Sequence, residues 1–542
     1  VIIMISQKTR SSLTIFIGSF LIVVGTIVLV AMASGYNINL FSWEISSFGL
    51  IKLNSNPNGA TIKINGRSIR QKTPYQLDSV KAGDVKVEYS KDGYLPWSST
   101  YTVKPGLVTF ADYALLIPNS IETKTVESNL KVSSLINSND HDRVFALTQE
   151  PAGIQELQKN YQLKKIGDLP INASLKQATS LSDPIINNDG SAIIVKASYP
   201  DSRPVTLWVN TTNGTFVNVE DLFNASPTQL TINPKNSREL YGLIAGQVVR
   251  SNTENRIILK LSPVNGTSLW VDADYLLTVE NKVAPELGQS LVRYDHNGNN
   301  RTVLKNLDTS PAGTVWKINS SRLGGLEYVT ILNPTDGKLY LTKIEGDKVV
   351  TSELGTGSSN PVFNENGRLL SFSQNDNLRT LDLEYVERFV TPNAGIGLLR
   401  WFTEYQLLIN KADGLYIIDY NGFNLAKLPP QAALSPAQTS FFNSNKSVFF
   451  LSGSLLGVGW SFEVGPLAWS PVPNKPLKAP TSCCQRLGGA LGSFDAGVVG
   501  VCEELATAWA GLGDICSADT TNRFSEVPGG VQVISVEVGV TV

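Results

Sequence analysis

His141 and His296, with four cysteines between Cys483 and Cys516, are the only imidazoles and thiols in this 542-residue chain. The first 482 residues contain no thiol, which excludes cysteine nucleophiles, thiolate zinc sites and disulfides from most of the sequence. A Ser-His-Asp arrangement would have to use one of the two histidines. His296 lies in Asp295-His296-Asn297-Gly298-Asn299-Asn300, where Asp295, Asn297 and Asn299 alternate as at the start of a calcium loop. The glycine falls at the fourth place instead of the sixth and the twelfth position is Asn306, so the segment reads as a solvated hairpin turn. His141, in Asn139-Asp140-His141-Asp142-Arg143, precedes VFALT, a strand expected to begin a first β-blade. The sequence contains no G-x-S-x-G elbow, P-loop, dinucleotide glycine fingerprint or H-E-x-x-H. The expectation is therefore no catalytic, cofactor-binding or metal site. The alternative is a propeller-type hydrolase or peptidase-related enzyme with catalytic residues in blade loops.

The elements that would position such residues begin with an apolar run. Residues 13–33 carry no charge over 21 positions, enough to cross a hydrocarbon core of roughly 30 Å. Lys8 and Arg10 precede the run and the next basic residue is Lys52, so the positive-inside rule puts residues 1–12 in the cytoplasm and the bulk outside. Ala31-Met32-Ala33 resembles a signal-peptidase site, but the run exceeds the h-region of about 7–15 residues, so an uncleaved single-pass anchor in membrane lipid is expected. The 45 basic residues balance 47 acidic ones, which argues against nucleic acid as a partner.

After a linker over 34–48, residues 49–118 switch to two-residue alternation. Asn65-Gly66 between alternating runs predicts a hairpin, since both residues tolerate the positive φ of a type I′ turn. Six or seven short strands, the last two flanking Pro105-Gly106, predict a small antiparallel sandwich. The pieces Pro57-Asn58-Gly59-Ala60, Thr73-Pro74, Gly93-Tyr94 and Pro96-Trp97 resemble the PEGA domain family in order and spacing, with Asn58 where the family carries Glu. The resemblance implies an extracytoplasmic β-sandwich that spaces or binds and has no catalytic residues. Tyr94 and Trp97 are expected to pack the sandwich, the alternative being an exposed ligand platform.

A second linker, 119–133, leads to a repeat over 134–472. Asn/Asp-rich turns between short apolar strands recur at 185–195, 230–243, 362–372 and 441–450. Their turn positions Gly190, Ser237, Gly367 and Lys446 are 47, 130 and 79 residues apart, approximating one, three and two units of about 40–45 residues. Residues 290–304 and 415–428 read as outer blade hairpins around Asp-x-Asn-Gly turns. A β-propeller of seven or eight blades follows, and its repeated phrase resembles TolB-like propellers. Anchor, PEGA module and propeller together resemble membrane-anchored bacterial PEGA-domain proteins. The fold class is an all-β ectodomain, a small sandwich plus the propeller, behind one transmembrane helix. The function expected is presentation of these modules in the cell envelope, without catalysis, to an extracytoplasmic protein or an envelope polysaccharide. Residues 473–542 form an atypical tail, disordered or foreign to the fold, in which Lys disappears after Lys478 and all four cysteines occur.

Overall fold

Alternation of apolar and polar residues sets the first module. In the computed structural model, residues 7–39 and 44–458 are described apart from 122–123, 127–129, 139, 141, 172–175, 264, 284–287, 308–313, 393–394, 396–398, 429–438, 442–447 and 453–454. His141, the end of the expected propeller and the whole cysteine-bearing tail lie outside the described residues. The strands β1 (Tyr36–Asn39), β2 (Glu44–Asn56), β3 (Thr61–Ile64), β4 (Arg67–Lys72), β5 (Tyr75–Lys81), β6 (Gly83–Ser90), β7 (Trp97–Val103) and β8 (Val108–Leu115) form two four-stranded sheets. One is β4-β3-β6-β7; the other joins β1, β5 and β8 to β2. Ile51, Leu53, Ile62, Val87, Tyr89 and Ala111 fill the space between them.

Asn65 and Gly66, at φ 49° and 78°, make the expected two-residue hairpin between β3 and β4. Two features correct the sequence reading. The stretch 34–48 is not a plain linker, because it supplies β1 and the start of β2. The sandwich is also not purely antiparallel, since β8 pairs with β2 in parallel from Leu50–Val108 onward. The strands flanking Pro105-Gly106 lie in different sheets, so this turn arches between layers instead of closing a hairpin, and the arch sets the direction of β8.

A helix, α1 (Gln7–Ala33), stands before the sandwich; its side chains are described from Phe16 to Met32. Among the described residues, no helix is long and apolar enough to cross a membrane. The helix ends on the sandwich through backbone contacts: Phe48 N–H donates to Gly35 O at 2.8 Å and Gly106 N–H to Phe48 O at 2.9 Å. A Cβ at Gly35, whose φ is +81°, would sit 2.2 Å from Gly106 N, so only glycine permits this approach.

From Lys124 to Val458 the described chain forms eight four-stranded sheets. Their first strands touch in succession from the first sheet to the seventh, and the eighth meets the first, which closes a propeller. The phrases at 185–195, 230–243 and 362–372 are the turns between first and second strands of the second, third and sixth sheets, and the turn of the phrase at 441–450 lies outside the described residues. Their recurring asparagine has a physical role. Asn187 and Asn364 are buried, and their carboxamide oxygens accept Ala192 and Leu369 N–H at 2.9 Å, closing the turn from inside. Asn364 also donates to Glu404 O in the next blade, and a Cβ at Gly367 would meet Arg322 O of the preceding one. The sixth-blade turn thus touches the blades on both sides of it.

The ring closes with a strand the sequence hid. Lys124–Thr125 pairs with Leu455–Val458 as the outer strand of the eighth sheet, so 119–133 is not a linker either. Two residues are too few to show any alternation. Likewise Val144–Gln149 is the second strand of the first sheet, after Lys131–Asn137, and VFALT does not begin the blade. Val126 is buried beside the closure and its N–H donates to Leu456 O at 2.9 Å. Val126→Pro deletes that donor, and a fall of about 3 kcal/mol in unfolding free energy is expected. Urea denaturation of the full chain in detergent checks it; an unchanged midpoint would show that the closing strand does not hold the ring.

Candidate functional site

The PEGA-type residues divide into two groups. Pro57, Asn58, Gly59, Ala60, Thr73 and Pro74 latch the sandwich: Thr73 Oγ1 accepts Ala60 N–H at 2.9 Å and lies 2.6 Å from Ser55 Oγ, while Gly59 N–H donates to Thr73 O. Gly93, Tyr94 and Trp97 face the chain that leaves for the propeller. Asn119 N–H donates to Gly93 O, and Tyr94 bridges to Pro118. Trp97 is 2% exposed, so the exposed-platform alternative fails, yet its role extends beyond the sandwich. Lys8 and Arg10 fall on the backbone of α1, with side chains outside the described set.

Trp97 heads β7 and stacks on Tyr89 at 5.2 Å, which aims its indole edge outward. The third strand of the seventh blade, Gly414–Asp419, ends opposite it, and Trp97 Nε1 donates to Asp419 Oδ2 at 2.8 Å. Asp419 is 2% exposed. Gln406 Nε2 donates to its other oxygen and Asn424 Nδ2 to Oδ2, both at 2.7 Å. Burial pushes the Asp419 carboxyl up to about 6, although all three donors pull the other way. The same donors stitch the two modules together: Gln406 Nε2 reaches Tyr113 O, and Asn424 exchanges hydrogen bonds with the backbone of Ser98. Leu115 and Ile117 then enter the apolar core of the seventh and eighth blades beside Phe402, Leu408 and Leu415.

Aromatic rings extend this junction. Tyr113 lies 5.4 Å from Trp97, 5.2 Å from Tyr405 and 5.3 Å from Tyr420, and its hydroxyl bonds Ser99 and Asn421. Burial raises the phenols of Tyr101 and Tyr420 and pushes Tyr113 up to about 12, so all three stay protonated at physiological pH. Beside the cluster opens a cleft of about 480 Å³ between β7, β8 and the sixth and seventh blades. Asp112 lines it, its carboxyl raised by burial against the pull of Lys52 and Arg368. Arg368, across the cleft, pairs with Asp382 at 2.7 Å and Glu384 at 3.1 Å and lies over the Tyr385 ring.

The histidine-bearing turn has a different character. His296 Nε2 lies 3.0 Å from Asp272 O, and its ring packs edge-on to Tyr241. Asp295 accepts the N–H groups of Asn297 and Asn299 at 2.8 and 2.9 Å, which hold its carboxyl below the usual range. The supposed calcium loop is thus a turn closed on its own amides. Among the described residues no group of three His, Cys, Asp or Glu could hold a metal. On the same edge of the ring, Lys235, Asp274, Arg322 and Asp272 form a chain of ion pairs across the third, fourth and fifth blades. It ties blades together and leaves its carboxylates committed to basic partners.

Sequence reasoning missed Asp419, Gln406, Asn424, Tyr113, Tyr405 and Tyr420. Asp419-Tyr420-Asn421-Gly422 repeats the Asp-x-Asn-Gly form of 295–298, and both are turns between outer strands. Nothing local marks the second as the one that meets the sandwich.

Residues 48–117 match the PEGA domain family. No curated protein matches the chain by sequence. Among solved structures, the chain is similar to an oligogalacturonate lyase in complex with manganese, at 12% identity, with 61% of this chain and 98% of that one covered and a TM-score of 0.37. An oligogalacturonate lyase from Vibrio parahaemolyticus shares 11% identity over 63% and 94% of the two chains, with a TM-score of 0.36. The computationally designed Ika8 protein shares 11% over 61% and 97%, at 0.39. With TM-scores this low, these likenesses carry no argument about activity.

Asp419 makes stability depend on pH with a defined sign. Its carboxyl is raised when folded relative to about 3.9 unfolded, so the folded protein binds the proton more tightly. The favourable contribution is fully present below about pH 4 and is lost as pH rises to about 6, by roughly 3 kcal/mol. Asp419→Asn removes this slope, measured as the difference between wild-type and variant unfolding free energies across that range. Trp97→Phe keeps one aromatic ring but deletes the donor and the pyrrole half of the indole; a loss of about 2 kcal/mol or more is expected from denaturant unfolding. Equal pH slopes in wild type and Asp419→Asn would refute the assignment.

Proposed function

We propose that this chain is a non-catalytic, single-pass envelope protein that holds a sandwich and a propeller outside the membrane as one body, to bind an extracytoplasmic protein or an envelope polymer. The observation that carries the reading is α1, whose apolar side chains are exposed around the helix. Phe16, Leu21, Ile22 and Leu29 are 70%, 63%, 71% and 68% exposed. A helix apolar on every side needs an apolar surrounding, and lipid supplies one. In the sequence the uncharged run continues back to Leu13, with Lys8 and Arg10 before it. Those two charges favour a cytoplasmic N-terminus.

Binding follows from what the modules lack and what they offer. His296 is engaged with a backbone carbonyl, and the carboxylates of the ion-pair chain face basic partners. The docked pair instead offers loops at the propeller edges and an aromatic cleft, which suit recognition more than proton transfer.

Membrane association is tested by fractionating cells that express the full chain. It should stay in the membrane pellet through an alkaline carbonate wash, while Leu21→Arg with Ile22→Arg, each costing about 2.5–3.5 kcal/mol mid-bilayer, should release it. A wild-type chain found in the soluble fraction would contradict the anchor. Polymer binding is tested by cosedimentation of the detergent-solubilised chain with purified cell-wall pellets, where retention is expected.

A further inference from the structure

The cleft between the sandwich and the sixth and seventh blades has the makings of a specific site. It lies between two modules, the usual place for ligand sites, and its volume of about 480 Å³ falls in their range of roughly 300–1,000 Å³. Phe110 projects from β8 and Tyr385 from the sixth blade, 49% and 60% exposed, and both line it. Lys52 lies over the Phe110 ring at 5.3 Å and the Arg368 guanidinium over Tyr385 at 4.7 Å, yet both rings keep about half or more of their surface exposed. Phe389, Tyr101 and Tyr420 continue the aromatic lining, and the buried Tyr101 hydroxyl makes no hydrogen bond among the described residues. Thr100 and Asp112 also line the cleft, while the Thr102 hydroxyl donates to Asp84 and the Asn421 amide to Tyr113.

We propose that this cleft is a saccharide subsite that takes flat, β-1,4-linked pyranose units of an envelope glycan. The proposal rests on the envelope-binding reading above and names the ligand class for it. Such sugars present axial C–H groups on both faces, which are attracted to the negative face of an aromatic ring, while equatorial hydroxyls point to the sides. The cleft offers that pattern, with rings for the faces and the Asp112 carboxylate and Thr100 for the edges. Charge selects against an anionic polymer. Arg368 is already neutralised by Asp382 and Glu384, and the lining carries Asp112, Asp382 and Glu387 against Arg368 and Lys104. A carboxylate at Asp112 instead accepts from neutral hydroxyls.

The test uses the full chain in detergent, with chitotetraose and cellotetraose as probes and calorimetric titration as the readout. Wild type is expected to bind at least one of them. Phe110→Ala and Tyr385→Ala, both at exposed positions that the core does not need, should each weaken binding about tenfold or more. Asp112→Asn should weaken it by a smaller factor, and Tyr385→Phe, which keeps the ring, by less than about threefold. Near-UV circular dichroism confirms that each variant is folded. Tetrasaccharide binding that survives both ring deletions overturns the cleft assignment and leaves envelope-polymer binding standing. Failure of both tetrasaccharides while wall pellets still retain the chain overturns the ligand class alone. Loss of retention on wall pellets as well overturns both readings. Binding of an extended peptide in the cleft, with no saccharide bound, overturns the proposal in favour of strand addition along β7 or β8.

Discussion

A carboxylate taken out of water is tolerated only where donors replace the water it lost. At Asp419 three do so, and one of them, Trp97, comes from the other module. Pulling the sandwich from the propeller would strip the carboxylate of its indole partner and expose the tyrosines packed beside it. The two modules are held by this contact together with Gln406 on Tyr113 O, Asn424 on Ser98 and the packed tyrosines. The connection from Leu115 to Lys124 is short, but it is Leu115 and Ile117 buried among blade residues that fix where it starts.

That constraint propagates in both directions. Toward the start of the chain, Gly35 lets the end of α1 lie against Phe48 and Gly106, so the helix leads into the sandwich through backbone hydrogen bonds. Toward the propeller, the seventh blade is joined to the eighth by shared core, and the eighth is closed by Lys124–Thr125, the segment that follows the sandwich. Docking and ring closure thus use adjacent stretches of chain. The cleft is a product of the same geometry, since β7 and β8 make one wall and the sixth and seventh blades the other.

The sequence made legible what is local. The Asn65-Gly66 hairpin, the blade turns around Asn187 and Asn364, and the outer hairpins at 290–304 and 415–428 are short-range patterns, and each has a local cause in positive φ or in a carboxamide closing its own turn. What escaped was set by distant partners. The parallel pairing of β8 with β2 needs residues 58 or 59 positions apart to meet, and a two-residue strand at 124–125 has no period to detect. Asp295 and Asp419 share one local phrase, yet the first is held by the amides of its own turn and the second by Trp97, 322 positions away. Burial, not residue type, gives them opposite acidities, and burial is a property of the assembled fold. Trp97 itself was legible as a packed residue but not as a donor, because only the structure shows what stands opposite its indole edge.

The central claim, that sandwich and propeller are one body joined at Asp419, is tested most directly by hydrogen–deuterium exchange on the intact chain. The Ser98 amide, which donates to Asn424 Oδ1 across the junction, and the amides of Gly414–Asp419 should be protected to the same degree as those of the blades' second strands. Rapid exchange of the Ser98 amide alongside a fully protected propeller would contradict it.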